Sequence, residues 1–288
     1  MVEISASMVV KLRKISGQGM MDCKKALQES DGDTDKALDI LRKKGLATLS
    51  KRSERETSEG IVICKASEDG KQAAMASLCC ETDFVAKSDD FKAAAKALAD
   101  YALQCSSDSG VENVLGTEVG GTSYNDILTE TVSKTGEKTQ VGDYAKFKIS
   151  GSGLISTYIH FNEKVGSMVS VETSSDEVAA ADSVKQAACD IAMHITAAKP
   201  LAIDKDGIDP ETIDREKAIY VEQVKNKPAQ IVDKIVEGKM NKYYAENCLL
   251  AQPFVKDDSM SVQQVLAAAA KEAGGEAKIK EFVRFSVG

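Results

Sequence analysis

Apolar residues fall at helical spacing three times in the first 43 positions. Met8, Val9, Leu12 and Ile15 predict one helix, capped by Ser5 or Ser7 and broken by Ser16-Gly17-Gln18-Gly19. Met20-Met21-Asp22-Cys23-Lys24-Lys25-Ala26-Leu27 opens a second, ended by Asp31-Gly32-Asp33. Asp33 or Thr34 caps a third, with Ala37, Leu38, Ile40 and Leu41 turned inward. Together they predict a minimal three-helix module over residues 1–45. The chain then turns charged and loses its aromatics, and residues 46–58 are predicted as a linker, with some helix allowed.

Past the linker the period becomes that of strands. Gly60 to Lys65 is rich in β-branched residues, Asp69-Gly70 is a hairpin signal, and Ala73 to Cys80 is the return strand. A helix from about Ser88 to Leu103 follows, with Phe91, Ala94, Ala95 and Leu98 on one side. The unit recurs as Leu154 to Phe161, a turn at Asn162-Glu163-Lys164, a strand Ser167 to Val171, and a helix from about Ser183 to Ala198. Residues 106–122 predict a loop between the units, and Tyr144 to Ile149 a further strand. The fold class is therefore α+β: two related antiparallel halves, 59–140 and 141–288, each sheet covered by helices on one side.

The later chain has a different texture. Asp209-Pro210-Glu211 combines a cap, a first-turn proline and an acid that suits the helix dipole. A break at Asn226-Lys227-Pro228 and a second helix through Ile231, Val232, Ile235, Val236 and Met240 make this a projecting helical hairpin, about 209–245. Such an arm either contacts a partner, joins a second copy into a homodimer, or packs on the core. An alanine-rich helix from Val262 to Ala273 and a strand from Phe282 to Val287 close the chain.

Composition narrows the functions. A net charge of −8, from 37 basic and 45 acidic side chains, neutralises phosphates poorly, so no direct nucleic-acid partner is expected. No apolar run approaches the roughly 18 residues of a membrane span, and Met1-Val2-Glu3 opens neither a signal nor a transit peptide. A cytoplasmic protein away from membranes is expected. Seven cysteines without a CxxC pair read as small buried residues in a reducing compartment. Gly136-Glu137-Lys138-Thr139 lacks the first glycine of a phosphate loop, and Gly17-Gln18-Gly19 lacks a third glycine and a preceding strand. His160, on an alternating strand, and His194, beside an apolar helix face, both read as structural. With no nucleophile–base pair, neither an enzyme nor a metal or cofactor site is expected.

One stretch admits both a packing and a functional reading. Cys79-Cys80-Glu81-Thr82-Asp83-Phe84-Val85-Ala86-Lys87-Ser88 joins a return strand to a helix, with a large aromatic set directly after turn-type residues. Such an aromatic either staples the helix start or is presented to a partner. The string TDFVAK before a helix resembles the hallmark loop of the elongation factor Ts family, which exchanges nucleotide on the translational GTPase elongation factor Tu. Four other stretches match in the family's order. They are MMDCKKAL at 20–27, IAMH with AAKP at 191–200, QPFV at 252–255 and FVRFSVG at 282–288. Around the first, this chain has SGQGMMDCKKAL where the family string is close to TGAGMMDCKKAL.

The resemblance implies a ubiquitin-associated-type module at 1–45 and guanine-nucleotide exchange as the activity. Phe84 and Asp83, within Thr82, Asp83, Phe84 and Val85, are implied to wedge near the partner's magnesium site, dislodge the ion and release GDP. Further partner contacts are implied at Lys24, at Val165-Gly166 (the family's IG turn, with Val for Ile), at His194 and at Val255. Lys256 stands where some relatives have methionine, and longer members carry a further helix whose contacts are expected to be missing here. The competing reading makes residues 1–45 a peptide-binding module on a non-catalytic scaffold. The bland reading of that module puts Met20 and Met21 in the core and leaves Lys24 and Lys25 solvated.

Overall fold

The computed structural model describes residues 4–224 and 227–288. Helices α1 (Ala6–Ser16), α2 (Met20–Glu29) and α3 (Thr34–Lys51) form the N-terminal module. Ser5 caps α1 by accepting from the Met8 amide, and Gly17 ends it in a left-handed conformation while donating to the Arg13 carbonyl. Asp33 caps α3 by accepting from the amides of Asp35 and Lys36. Val9, Leu12, Cys23, Ala26, Leu27, Ala37 and Leu41 fill the interior. Three short helices share one small core, so not every apolar residue reaches it. Ile15, expected on the inward side of α1, is exposed, as are Met20 and Met21, which one of the two readings of the module puts in the core. Residues 46–51 of the expected linker are helical, because α3 runs on to Lys51.

The first half holds β1 (Glu59–Ala66), β2 (Gln72–Cys80), α4 (Asp83–Ala86), α5 (Asp89–Gln104), α6 (Val111–Leu115), β3 (Glu118–Val119), β4 (Thr122–Ser123), α7 (Tyr124–Thr135) and β5 (Thr139–Lys148). Its antiparallel sheet has the order β1-β2-β5. Strand β2 is buried on both faces. Ala74, Ala76, Leu78 and Cys80 join the core shared with α5, while Ala73, Met75 and Cys79 join the core shared with the second sheet. Helix α7, not among the elements expected from the sequence, begins at a capping box between Ser123 and Asp126 and buries Tyr124, Leu128 and Val132. The expected loop at 106–122 contains α6 and the small β3–β4 hairpin. Strand β5 starts at Thr139, and its pairing with β2 puts residues 141–148 in the first sheet, so a division at 140/141 cuts a strand.

The second half holds β6 (Gly153–Ile159), β7 (Val165–Thr173), α8 (Asp176–Ala180), α9 (Asp182–Ala198), α10 (Pro210–Val224), α11 (Ala229–Asn247), β8 (Pro253–Phe254), β9 (Asp257–Ser261), α12 (Val262–Glu272) and β10 (Ala277–Ser286). The closing strand β10 pairs with β7, giving the order β10-β7-β6. Helices α9 and α12 cover one face through Ala188, Ile191, Ile195 and Leu266. The other face meets the first sheet, with Met168, Ile155, Val283 and Val287 against Val62, Met75 and Phe147. Two sheets are thus apposed, with helices outside. Helices α10 and α11 form the expected hairpin, rooted where Ile213, Tyr243 and Tyr244 pack on Ala202, Ile208 and Cys248. Of its expected break, Asn226 lies outside the described residues, as do Met1, Val2 and Glu3. Among the described residues, no helix is long and apolar enough to cross a membrane.

The N-terminal module docks on the first half through α3 and α7. Arg42 pairs with Asp126, and Ser133 donates to the Leu41 carbonyl. Gly45 marks a close backbone approach: a Cβ there would lie 2.6 Å from the Thr129 carbonyl oxygen. Gly45→Val is therefore expected to cost about 1–3 kcal/mol by overpacking. Urea unfolding measures that loss, and limited proteolysis after Lys51 reports the undocked module.

Candidate functional site

The exposed loop is built from the end of β2. Thr82 is extended, and its hydroxyl accepts from the Val85 amide at 3.3 Å, capping the single turn α4. Val85 packs against the first core, and Ala86 is buried. Ser88 then donates to the Val85 carbonyl at 2.7 Å and caps α5 by accepting from the Phe91 amide. Every residue that could staple the helix start is already placed, and Phe84 is not among them. Its ring is 82% exposed. Burying a phenylalanine contributes about 1.5–3 kcal/mol, and this chain leaves that contribution unused.

Charge surrounds the ring. Asp83 pairs with Lys87 at 2.7 Å, and this hydrogen bond holds the carboxyl below its usual range, with Lys164 assisting. Lys164 in turn pairs with Glu59 at 2.7 Å. The β6–β7 turn therefore lies beside the loop, fixed by the Val62 amide donating to the Glu163 carbonyl at 2.7 Å. A groove of ≈ 460 Å³ runs between that turn, β1 and α5, with Ile61 and Ile63 in its wall and Lys92 and Lys96 on its rim. The turn also presents Phe161, 88% exposed, with its ring 4.3 Å from that of His160. His160 lies just past β6, in the turn itself, rather than on the alternating strand the sequence suggested.

The remaining expected contacts lie in different settings. Lys24 is exposed on α2, with Met20, Met21 and Lys25 also exposed. Val165 and Gly166 open β7 and do not form a turn. Gly166 is buried, and a Cβ there would meet Ile159 at 2.5 Å, so it offers a partner no side chain. His194 is 1% exposed. Its Nδ1 accepts from the Val255 amide at 3.2 Å, which leaves Nε2 to donate to Gln252 Oε1 at 2.9 Å. Burial pushes its pKa down, and the Gln252 hydrogen bond only partly offsets this. Gln252 Nε2 donates to the Glu246 carbonyl at 2.7 Å, tying the end of α11 to the same knot. Val255, 51% exposed, reaches the surface beside this knot.

Three residues that hold the loop were not legible as such in the sequence. Glu137 accepts from both the amide and the hydroxyl of Thr82, at 3.1 and 2.8 Å. Glu81 accepts from Arg52 Nη1 at 2.8 Å to each oxygen. Burial alone would raise the Glu81 pKa, but the Lys138 amide and Arg52 hold it below the usual range. These partners lie 29 to 57 residues away in the chain. Spacing carries no signal for such pairs. Among the described residues, no cluster of three metal-ligating side chains occurs.

Residues 81–288 match the family pattern described as Elongation factor TS. The chain is 42% identical over 287 residues to elongation factor Ts of a Nitratiruptor species, covering 99% of this chain and 93% of that one. It is 39% identical over 292 residues to elongation factor Ts of Desulfovibrio desulfuricans, covering 100% and 99%. It is 40% identical over 293 residues to elongation factor Ts of Prosthecochloris aestuarii, covering the whole of both chains.

Proposed function

The chain belongs to the elongation factor Ts family and is a translation elongation factor; we propose that it exchanges guanine nucleotide on elongation factor Tu. One observation carries the reading: a phenylalanine held almost wholly in solvent on a turn anchored on either side by Thr82, Val85 and Ala86. In this reading Phe84 enters an apolar cleft of the GTPase, with Asp83 beside it at the edge of the magnesium site. Displacing Mg²⁺ removes the main neutraliser of the β-phosphate and weakens the hold on GDP. By linkage, GDP weakens binding of the chain by the same factor.

The chain makes and breaks no covalent bond in this scheme, and its work is done in the cytoplasm where translation proceeds. The exposed face of α2, with Met20, Met21, Lys24 and Lys25, serves as a second contact, apolar and basic, for an acidic partner surface. Val255, presented by the His194 knot, serves as a third. In that knot His194 positions Val255 and does not itself touch the partner.

The test is release of labelled GDP from elongation factor Tu, timed with and without the chain. Acceleration at substoichiometric amounts is expected. Release at the spontaneous rate, with the chain folded, sinks the reading and leaves the peptide-binding scaffold in its place.

A further inference from the structure

We propose that Glu137 is a positioning residue for the Thr82–Val85 loop, one arm of a crossed pair of carboxylates whose other arm, Glu81, ties the loop to the N-terminal module through Arg52. The inference rests on the exchange reading and adds the device that aims the wedge.

The pair is reciprocal. Glu81 and Thr82 are neighbours at the end of β2, and Glu137 and Lys138 are neighbours between α7 and β5. Glu137 accepts from the Thr82 amide and hydroxyl. Glu81 accepts from the Lys138 amide at 2.7 Å. Each acid thus satisfies a backbone donor of the segment that bears the other. Because the Thr82 hydroxyl donates its one proton to Glu137, its lone pairs face the Val85 amide and close the turn under Phe84. The pin and the cap act in series. Gly136, left-handed at φ 73, turns the chain sharply out of α7 and brings Glu137 round to the loop.

The brace extends to a third segment. Arg52 follows directly on α3, and its Nη1 donates to both oxygens of Glu81, whose side chain is only 10% exposed. The Lys138 ammonium donates to the carbonyls of Ser53 and Arg55 at 2.7 and 2.9 Å. Helix α7 carries the docking surface for α3 along its length and Glu137 just past its end. A shift of the N-terminal module therefore pulls on both supports of the wedge. The stretch Gly136-Glu137-Lys138-Thr139, a failed match to a phosphate loop, has this as its role.

Two measurements on the full chain test the proposal. Hydrogen exchange at the Thr82 and Val85 amides reads the brace without any partner. GDP release from elongation factor Tu, taken over a range of chain concentrations, separates maximal rate from half-saturation. Glu137→Ala is expected to speed exchange at both amides by about tenfold or more, the loss of a charge-assisted hydrogen bond. It should lower the maximal release rate by about tenfold and move half-saturation by less than about twofold, since the other contacts stay in place. Glu137→Gln keeps one acceptor oxygen and should recover part of both. Arg52→Ala should shift both readings in the same direction by less. A folded Glu137→Ala chain with wild-type protection at Thr82 and Val85, or with lowered melting temperature and an unchanged maximal rate, overturns the proposal. Should the wild-type chain fail to speed GDP release, the exchange reading falls, and amide protection alone still decides whether the brace exists.

Discussion

Phe84→Ala slows GDP release from elongation factor Tu by about 10- to 100-fold and leaves the thermal unfolding of the chain unchanged. The magnitude is that of one buried phenylalanine, about 1.5–3 kcal/mol, realised only in the complex. The second half of the expectation is as informative as the first. The ring is 82% exposed, and the turn that bears it is held by Thr82, Val85, Ala86 and Ser88. Alanine is also the better helix former at that position. A variant that melted early would mean that the ring packs on the fold in solution and serves as a staple. Release at the wild-type rate, with melting unchanged, would remove Phe84 from the mechanism. Phe84→Leu, which keeps most of the apolar area, should fall between wild type and alanine.

How much of this was legible follows from where each signal is stored. The hairpins and main helices carry local patterns: β-branched runs at Ile61 to Ile63, a turn at Asp69-Gly70, and apolar spacing at Phe91, Ala94, Ala95 and Leu98. The hairpin strands and the helices α5 and α9 appear within a residue or two of their expected bounds, whereas α3 runs on to Lys51 and β10 begins at Ala277, ahead of Phe282. Helix α7 was passed over although Tyr124, Leu128 and Val132 stand four apart, because its polar residues and the preceding glycines resemble loop. The start of β5 was missed because Thr139 to Asp143 reads as polar, whereas the pairing that makes it a strand is with β2. The wedge loop was legible only through its family string. From local chemistry a staple and a presented ring look alike, and what separates them is the packing of Val85 on the core and the burial of Ala86 beside it. Gly166 and His194 show the converse. Both belong to strings shared with the family, and both are buried, so a shared string marks scaffold as readily as surface.

His194→Phe is expected to destabilise the chain by about 1–3 kcal/mol for each of two buried groups left unpaired, the Val255 amide and the Gln252 carbonyl oxygen. For a chain of this size that is on the order of 5–15 °C in melting temperature. Phenylalanine fills the ring's volume, so the loss reports hydrogen bonding rather than a cavity. The effect also depends on pH, and its sign is fixed by burial. Folded His194 has a depressed pKa because a proton on Nδ1 would be buried and would face the Val255 amide donor. The unfolded imidazole titrates near 6.5. Above that value both states are neutral and the full advantage over phenylalanine is present. As pH falls below it, the unfolded wild-type chain takes up a proton that the folded chain resists, and the advantage shrinks until the folded pKa is reached. Melting curves of wild type and variant should therefore lie far apart at pH 7.5 and converge toward pH 5. A gap that stayed constant or widened on acidification would mean that the ring is charged in the fold, and the assignment of Nδ1 as acceptor would be wrong. If His194 positions Val255 as proposed, the folded variant should also need more chain to half-saturate GDP release while its maximal rate holds. Under the proposed function, that split would separate the knot, acting on affinity, from Phe84, acting on the rate.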